Sequence, residues 1–163
     1  MSLNQDIVSA VKARLDGIPS MGTIHARNRY DSNWSTFLDD FASTLFGVKQ
    51  VRGWVVTLDG TQPIVPSPEP PDRMGAITRV YSVLIVGLEG LTVATNSEQT
   101  LLDLAETVMD DLDGRADLGL TAVLDYGQRS LMRTHDVRMF GSVLCNYVEI
   151  VYPVVATKAV SYA

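Results

Sequence analysis

The fold is decided by residues 77–88, ITRVYSVLIVGL. Residues that favour strands, β-branched and aromatic, dominate this stretch, and its centre from Val83 to Val86 is wholly apolar. An unbroken apolar run is typical of a strand with both faces buried, so we predict a central strand that is covered on both sides. The run is far shorter than the about 20 apolar residues that a membrane-spanning helix needs.

A helix is predicted on the C-terminal side of this strand, at residues 98–113. Thr95 and Glu98 have the spacing of a capping box at its start, and Gly114 is a typical stop signal. Apolar residues recur at helical spacing and line one face: Leu101, Leu104, Ala105, Val108 and Leu112.

The last third of the chain has a strand pattern. Strands are predicted at residues 120–124 and 143–155, and residues 125–136 either pair with the first of these or form a turn. Pro153 has no N–H to donate, so a sheet edge or the end of strand pairing is expected there. In the longer strand, Asn146 interrupts an apolar side that consists of Leu144, Val148, Ile150, Tyr152 and Val154.

Four elements are predicted before residue 59. They are helices at residues 4–16 and 32–46, a short strand at residues 21–27 and a longer strand at residues 51–58. Asn4 is the predicted cap of the first helix. The second helix carries an aromatic stripe, which fits a core-facing surface better than an aromatic ligand pocket. The stripe consists of Trp34, Phe37, Leu38, Phe41 and Leu45.

Residues 59–75, DGTQPIVPSPEPPDRMG, are predicted to form a long extended loop. Five of the seven prolines lie here, and proline neither donates to a sheet nor fits inside a helix. The segment is either a flexible loop or an arm, stiffened by proline, that lies on a neighbouring subunit. On the second interpretation its candidate contact residues are Pro63, Pro66, Pro68 and Pro70.

Together these elements predict a single α+β domain over residues 1–163. Its sheet is expected to be mostly antiparallel or mixed, with about four to five strands packed against two to three helices. Strands and helices do not alternate regularly enough for a doubly wound parallel sheet. No internal repeat is present, which excludes solenoids and propellers.

The sequence contains no recognisable catalytic or metal-binding motif. It has no G-x-x-x-x-G-K-[ST] phosphate loop and no G-x-S-x-G turn. His135–Asp136 lacks a third ligand at recognisable spacing, and the acid pairs Asp39–Asp40 and Asp110–Asp111 fit solvated helix faces better than Mg²⁺ sites. Cys145 is the only cysteine, so neither an intrachain disulfide nor a cysteine-based zinc site can form. We therefore expect no catalytic residue, no metal and no cofactor.

Charge is unevenly distributed along the chain, whose net charge is −6. Seven acids and one base lie between Ser97 and Asp117, whereas residues 129–138 are locally basic. The acidic helix is either a solvated surface or one half of a head-to-tail contact with the basic segment of the next subunit. The candidate interface residues are Asp103, Glu106 and Asp110 on the helix and Arg129, Arg133 and Arg138 in the basic segment.

Five segments together resemble one known family. They are IVSAVKARLDGI (7–18), RGWVVTLDG (52–60), TRVYSVLIVGL (78–88), LLDLAETVMDDLDG (101–114) and VLCNYVEIVYPVV (143–155). In pattern and order they are similar to the tail terminator proteins of tailed bacteriophages, in particular those of Mu-like phages with contractile tails. Residues 28–46 depart from the plan of that family, because their predicted helix is an addition to it.

The resemblance implies a structural virion protein and no enzymatic activity. Proteins of this family form a ring, expected to be a hexamer, that caps the finished tail tube, stops its polymerisation and presents a surface to the neck of the head. The expected partners are further copies of the chain, the tube and sheath proteins of the tail, and neck proteins, with no specific nucleic-acid binding and no membrane. The N-terminus has no signal-peptide pattern, so assembly is expected in the host cytoplasm and the final location is the virion tail or neck.

Three other interpretations stay open at the level of sequence. The first is that the chain is another neck or head–tail connector protein, and the second is that it is a component of a type VI or phage-tail-like particle. The third is that it is a small ligand-binding domain or enzyme that uses the aromatic stripe together with His25. A deep pocket with a perturbed histidine or carboxylate would favour this last interpretation.

Overall fold

Two long helices pack on one mixed sheet of seven strands. The computed structural model describes residues 2–27, 36, 39–45, 48–63, 76–91, 96–114, 117–124, 127, 129–140 and 143–159. In chain order the elements are α1 (Leu3–Asp16), β1 (Thr23–His25), β2 (Ala42–Leu45), β3 (Val48–Pro63), β4 (Ala76–Gly90), α2 (Ser97–Asp113), β5 (Val123–Leu124), β6 (Leu131–Phe140) and β7 (Val143–Ala159).

The strand predicted from residues 77–88 is the centre of the sheet. This strand, β4, pairs antiparallel with β3 on one side and with β7 on the other. The strand order is β1-β3-β4-β7-β5, with β2 also paired to β3 and β6 also paired to β7, and β1 is parallel to β3. The predicted α+β class with a mixed sheet is confirmed. The sheet has more than the predicted four to five strands because residues 42–45 and 131–140 form two further strands, β2 and β6.

Both helices cover the same face of the sheet, which we call the helix face. Tyr81, Val83 and Ile85 alternate along β4 and are buried there, as are Trp54 of β3 and Val148 of β7. The apolar sides of both helices complete this core: Ile7, Val8, Val11 and Leu15 of α1, and Leu101, Ala105, Val108 and Leu112 of α2. Removal of this apolar surface from water supplies most of the free energy that stabilises the fold.

The opposite face of the sheet is covered only in part. Its buried cluster is small and lies at one end: Phe41, Val55, Leu88 and Tyr147. In the middle of β4, Leu84 is only half-buried. The prediction of a central strand covered on both sides therefore holds at one end of β4 and fails in its middle, because both described helices lie on the helix face.

The predicted helix at residues 32–46 is wrong in its last part. Residues 42–45 form β2, which pairs antiparallel with residues 48–51 of β3. Pairing between two chain segments satisfies their backbone N–H and C=O groups, and helical spacing in the sequence cannot reveal that contact. Earlier in the segment, residues 36, 39 and 40 are helical.

The aromatic stripe of that predicted helix does not form a pocket in the described part of the chain. Phe41 is 1% exposed and belongs to the core cluster on the open side of the sheet. Trp34, Phe37 and Leu38 lie outside the described residues, as does the side chain of Leu45. The core-facing interpretation therefore holds for Phe41.

Two predicted caps are also corrected. Ser2, not Asn4, caps α1: its side chain accepts a hydrogen bond from the backbone of Gln5, and Gln5 Oε1 accepts one from Ser2 N at 3.2 Å. This is a capping box, which satisfies two otherwise unpaired donors at once. At α2 the cap is Asn96, in the left-handed region at φ 46° and without a side-chain bond, whereas Thr95 lies outside the described residues.

The predicted loop at residues 59–75 begins later than expected. β3 continues to Pro63, which is opposite Arg79 of β4, and a bulge between Leu58 and Gly60 absorbs one residue on the way. Cross-strand pairing outweighs the low strand preference of Asp, Gly and Pro because a long neighbouring strand is available. Residues 64–75, which include Pro66, Pro68 and Pro70, lie outside the described residues.

The second half of the chain folds mostly as predicted, with one change of partner. Helix α2 has the predicted extent within one residue, and β7 is longer than predicted. Residues 131–140 form β6, which pairs with β7 rather than with residues 120–124. The expectation of a sheet edge or the end of pairing at Pro153 is wrong, because β7 pairs with β4 through Pro153 and on to Ala159. On its other side, β7 pairs with β6 up to Val151 and with β5 at Val155 and Ala156, so the missing N–H of Pro153 falls in the gap between these two partners.

Candidate functional site

Three of the predicted interface residues form an exposed acidic stripe on α2. Asp103, Glu106 and Asp110 follow one another at spacings of three and four residues, so they lie on the same side of the helix. Asp103 Oδ1 accepts a hydrogen bond from Gln99 at 2.7 Å. None of the described cationic side chains forms an ion pair with the stripe. The stripe is therefore a negatively charged surface that the described subunit leaves uncompensated.

Two other acids of this helix hold the subunit together. Asp111 receives two hydrogen bonds from the guanidinium of Arg14, one of them 2.9 Å from Nε, which ties α2 to α1. Asp113 Oδ1 accepts a bond of 2.7 Å from the backbone N–H of Ser130, just before β6. The expectation that the pair Asp110–Asp111 is simply a solvated face is wrong for Asp111, because the partner it meets comes from another helix.

The predicted basic segment already has partners inside the subunit. Arg133 lies 3.4 Å from Asp59, and both side chains are largely exposed. Arg138 stacks over the ring of Tyr147, 3.7 Å from its centroid, and its Nη1 lies 3.8 Å from Glu149 and its Nε 3.9 Å from Asp136. Arg129 also has a partner. The structure therefore does not bring the acidic stripe and the three arginines together within one subunit.

Tyr147 is the buried centre of the contact made by Arg138. The phenol donates a short hydrogen bond to Glu149 Oε1. Burial, with the neighbouring Glu149 carboxylate, raises the pKa of Tyr147 to about 12. The phenol thus stays neutral at physiological pH and serves as a platform for the guanidinium.

An apolar patch that was not predicted lies at the end of the β6–β7 hairpin. Its four large side chains are all more than 40% exposed and lie on the helix face beyond the helices: Leu91, Val137, Met139 and Leu144. Leu91 N donates to Leu144 O at 2.9 Å, and Met139 is directly opposite Leu144, so these three form one row across the strands. The sequence of β6, LMRTHDVRMF, indicates such a patch. Its apolar residues occur at both odd and even positions, so they cannot all lie on one face of the sheet.

A buried polar row crosses three strands and was also missed. Arg52, Glu89 and Asn146 occupy adjacent register positions on β3, β4 and β7, and each is at most 4% exposed. Arg52 Nη2 donates to Glu89 Oε1 at 2.5 Å, and Asn146 Nδ2 donates to Ser97 Oγ at 3.0 Å. Glu89 and Asn146 are the visible signal, because each is polar within an apolar run.

The loop before β1 closes over this row. Arg52 Nη1 donates to the carbonyl of Ser20 at 3.1 Å. Gly22 has φ +83°, and a Cβ there would lie 2.2 Å from the carbonyl oxygen of Arg52, so only glycine fits. Burial raises the pKa of Glu89 in spite of the favourable charge of Arg52. The carboxylate is thus held by the fold rather than offered to a ligand.

The described residues show no arrangement typical of a metal site, since no group of three His, Cys, Asp or Glu side chains is close enough to bind one ion. His135 is 3.8 Å from Glu98 on the helix face, whereas Asp136 is the next residue on a regular strand and points to the opposite face. His25 Nε2 lies 2.8 Å from the carbonyl oxygen of Asp40. Burial raises the pKa of the Cys145 thiol to about 11, so this cysteine is a small core residue.

Two shallow clefts are found in the described part of the molecule. One, of about 280 Å³, lies between α1 and β3, and the other, of about 340 Å³, lies beside the loop at residues 16–24. Neither contains a histidine or a buried carboxylate. Of the two described helices, neither combines the length and the apolar character needed to cross a membrane.

Neither a comparison with protein-family models nor one with curated proteins finds a match for this chain.

Proposed function

We propose that this chain is a tail terminator of a contractile-tailed bacteriophage, which assembles into a ring, caps the tail tube and connects it to the head or neck. The observation that carries the proposal is the resemblance of five sequence segments to that family. These segments fall on α1, β3, β4, α2 and β7. They are the elements that build the core, so the resemblance concerns the framework of the fold rather than its loops.

The surface of the subunit supports a role in assembly. The acidic stripe (Asp103, Glu106 and Asp110) has no described cation opposite it, and the apolar patch on the β6–β7 hairpin is exposed. Charged surfaces of this kind set the register and rate of association more than its strength, whereas exposed apolar patches contribute affinity. A head-to-tail contact that uses two different surfaces forms a ring when the rotation between successive subunits closes. The partners proposed are other copies of the chain, tube and sheath proteins, and neck proteins.

Electron microscopy of the purified chain mixed with isolated tail tubes tests this proposal. We expect tubes that carry a ring at one end. Neutralising the stripe in the triple variant Asp103→Asn, Glu106→Gln and Asp110→Asn should weaken capping without a change in melting temperature. Asp117→Asn is the control, because it removes an acid outside the stripe and retains an oxygen that accepts the hydrogen bond from Gly119 N.

Tubes that stay uncapped at high protein concentration would contradict the terminator role. Binding to isolated necks in place of tubes would then favour the connector alternative, which uses the same kind of assembly surface.

A further inference from the structure

The outer edge of β6 is the least protected strand edge of the described sheet. Residues 134–140 pair regularly with β7, contain neither proline nor bulge, and meet no described strand on their other side. Unpaired edges of this kind tend to pair with another chain. The free part of β3, residues 56–63, differs because a bulge interrupts it and a proline ends it. Both features hinder strand addition.

The sequence of this edge is complementary to itself. Asp136 and Arg138 flank Val137, and both point to the face opposite the helices. In an antiparallel pair of two such strands centred on Val137, each Asp136 is directly opposite an Arg138 of the other copy. The same register spans Thr134 to Phe140, which is the regular part of the strand. Opposite charges at facing positions stabilise an antiparallel pair, and like charges destabilise it.

We propose that two copies of this chain pair through β6, antiparallel, about a two-fold axis at Val137. The backbone is prepared for this contact. Val137 N donates to Asp136 Oδ1 of its own chain at 2.7 Å, which indicates that this N–H points away from β7. In the dimer the two Val137 residues exchange N–H···O bonds, and each Asp136 carboxylate turns to the Arg138 of the other copy.

Apolar contact on the helix face adds to this pairing. Val137 is 45% exposed and Met139 is 68% exposed in the single subunit. At the two-fold axis Val137 faces its own counterpart, and Met139 faces His135 of the other copy. The dimer therefore covers half of the apolar patch and leaves Leu91 and Leu144 at its margin.

This contact does not depend on the proposed ring, but it would regulate it. The dimer occupies the strand that carries Arg133 and Arg138, which the head-to-tail contact would use. Because both contacts would use β6, the dimer and the ring exclude each other. The dimer would be a storage form that keeps the chain from assembling before a tube end is present.

Charge exchange tests the proposal. Sedimentation equilibrium of the full chain over a range of concentrations should show a monomer–dimer equilibrium. Asp136→Arg alone places two arginines opposite each other at both positions, and Arg138→Asp alone places two aspartates there. Each single variant should dimerise about tenfold or more weakly than the unmodified chain. An equimolar mixture of the two variants restores both opposite-charge pairs and should form a heterodimer.

Hydrogen exchange gives a second measurement that does not require a variant. The amides of His135, Val137 and Met139 should become protected as concentration rises, with no comparable change at residues 56–63. A chain that stays monomeric, or a mixture of variants that dimerises no better than either alone, would overturn the β6 contact. Capping of tubes by a monomeric chain would overturn the dimer and leave the proposed function intact. A dimer that never caps tubes would do the reverse.

Discussion

Two groups of carboxylates in this molecule have the same chemistry and different surroundings. Glu89 is 1% exposed, bound to Arg52 and enclosed by the loop around Ser20. The acids of the stripe on α2 are exposed, with no described cation opposite them. A buried charge whose partner is removed has neither water nor a counter-ion, whereas a surface charge keeps its hydration. The first group is therefore tied to the integrity of the fold, and the second is available for contact with other molecules.

Removal of the Glu89 carboxylate should give the largest effect. Glu89→Ala leaves the guanidinium of Arg52 buried without a counter-ion, so we expect a loss of roughly 3–5 kcal/mol in the free energy of unfolding. Urea unfolding followed by circular dichroism measures it. Glu106→Ala is the matched control, because the same substitution at the exposed stripe should change stability by less than about 0.5 kcal/mol.

A double variant distinguishes the contribution of the Arg52–Glu89 ion pair from the cost of leaving one buried charge without its partner. Arg52→Met with Glu89→Leu replaces both charges by apolar side chains of similar volume, and should recover most of the loss. If Glu89→Ala is as mild as Glu106→Ala, the Arg52–Glu89 pair does not have the stabilising role described above.

The pH dependence of stability should distinguish Glu89 from surface acids. Burial raises the pKa of Glu89 above its ordinary value of 4.5. A carboxyl group with a raised folded pKa contributes stability that is present below the unfolded pKa and is lost as the pH rises through the folded pKa. The stability of the unmodified chain minus that of Glu89→Gln should therefore fall as the pH rises from about 4.5. Unfolding curves between about pH 4 and pH 8 measure this difference. A difference that grows with pH would mean that attraction to Arg52 outweighs burial.

The smallest effect on stability is expected at two neighbouring acids of α2, one of which is bound to Arg14 while the other is exposed. Asp111 receives two hydrogen bonds from Arg14 and is about one-quarter exposed, at 28%, whereas Asp110 is exposed and belongs to the stripe. Asp111→Asn should cost roughly 1 kcal/mol, and Asp110→Asn should be nearly neutral. Thermal unfolding at low and high salt measures both, and the cost at Asp111 should shrink as salt rises. Equal costs at the two positions would show that the contact with Arg14 contributes nothing.

The local sequence pattern was sufficient to predict an element where that element buries one side at a regular spacing. The apolar spacing of α1, α2, β4 and β7 predicted these elements, because each meets the core with a period that the residue types reveal. It was insufficient for residues 42–45, since their strand exists only through pairing with the start of β3. The same holds for the continuation of β3 to Pro63, where a neighbouring strand overrides weak strand preference.

The predicted interface residues show the same division. The exposed position of Asp103, Glu106 and Asp110 follows from helical spacing, and the structure places them on one surface. Spacing could not indicate that Arg133 meets Asp59 or that Arg138 stacks on Tyr147, because those partners are distant along the chain or on another strand.

The sequence by itself determined the class of the fold, the central strand, the acidic helix and the lack of a recognisable catalytic motif. Tertiary structure decided which charges are buried and which strand edge is open. The physical reason is that period and residue type report on one element at a time, whereas burial of Glu89 and exposure of the β6 edge depend on which other elements pack beside them.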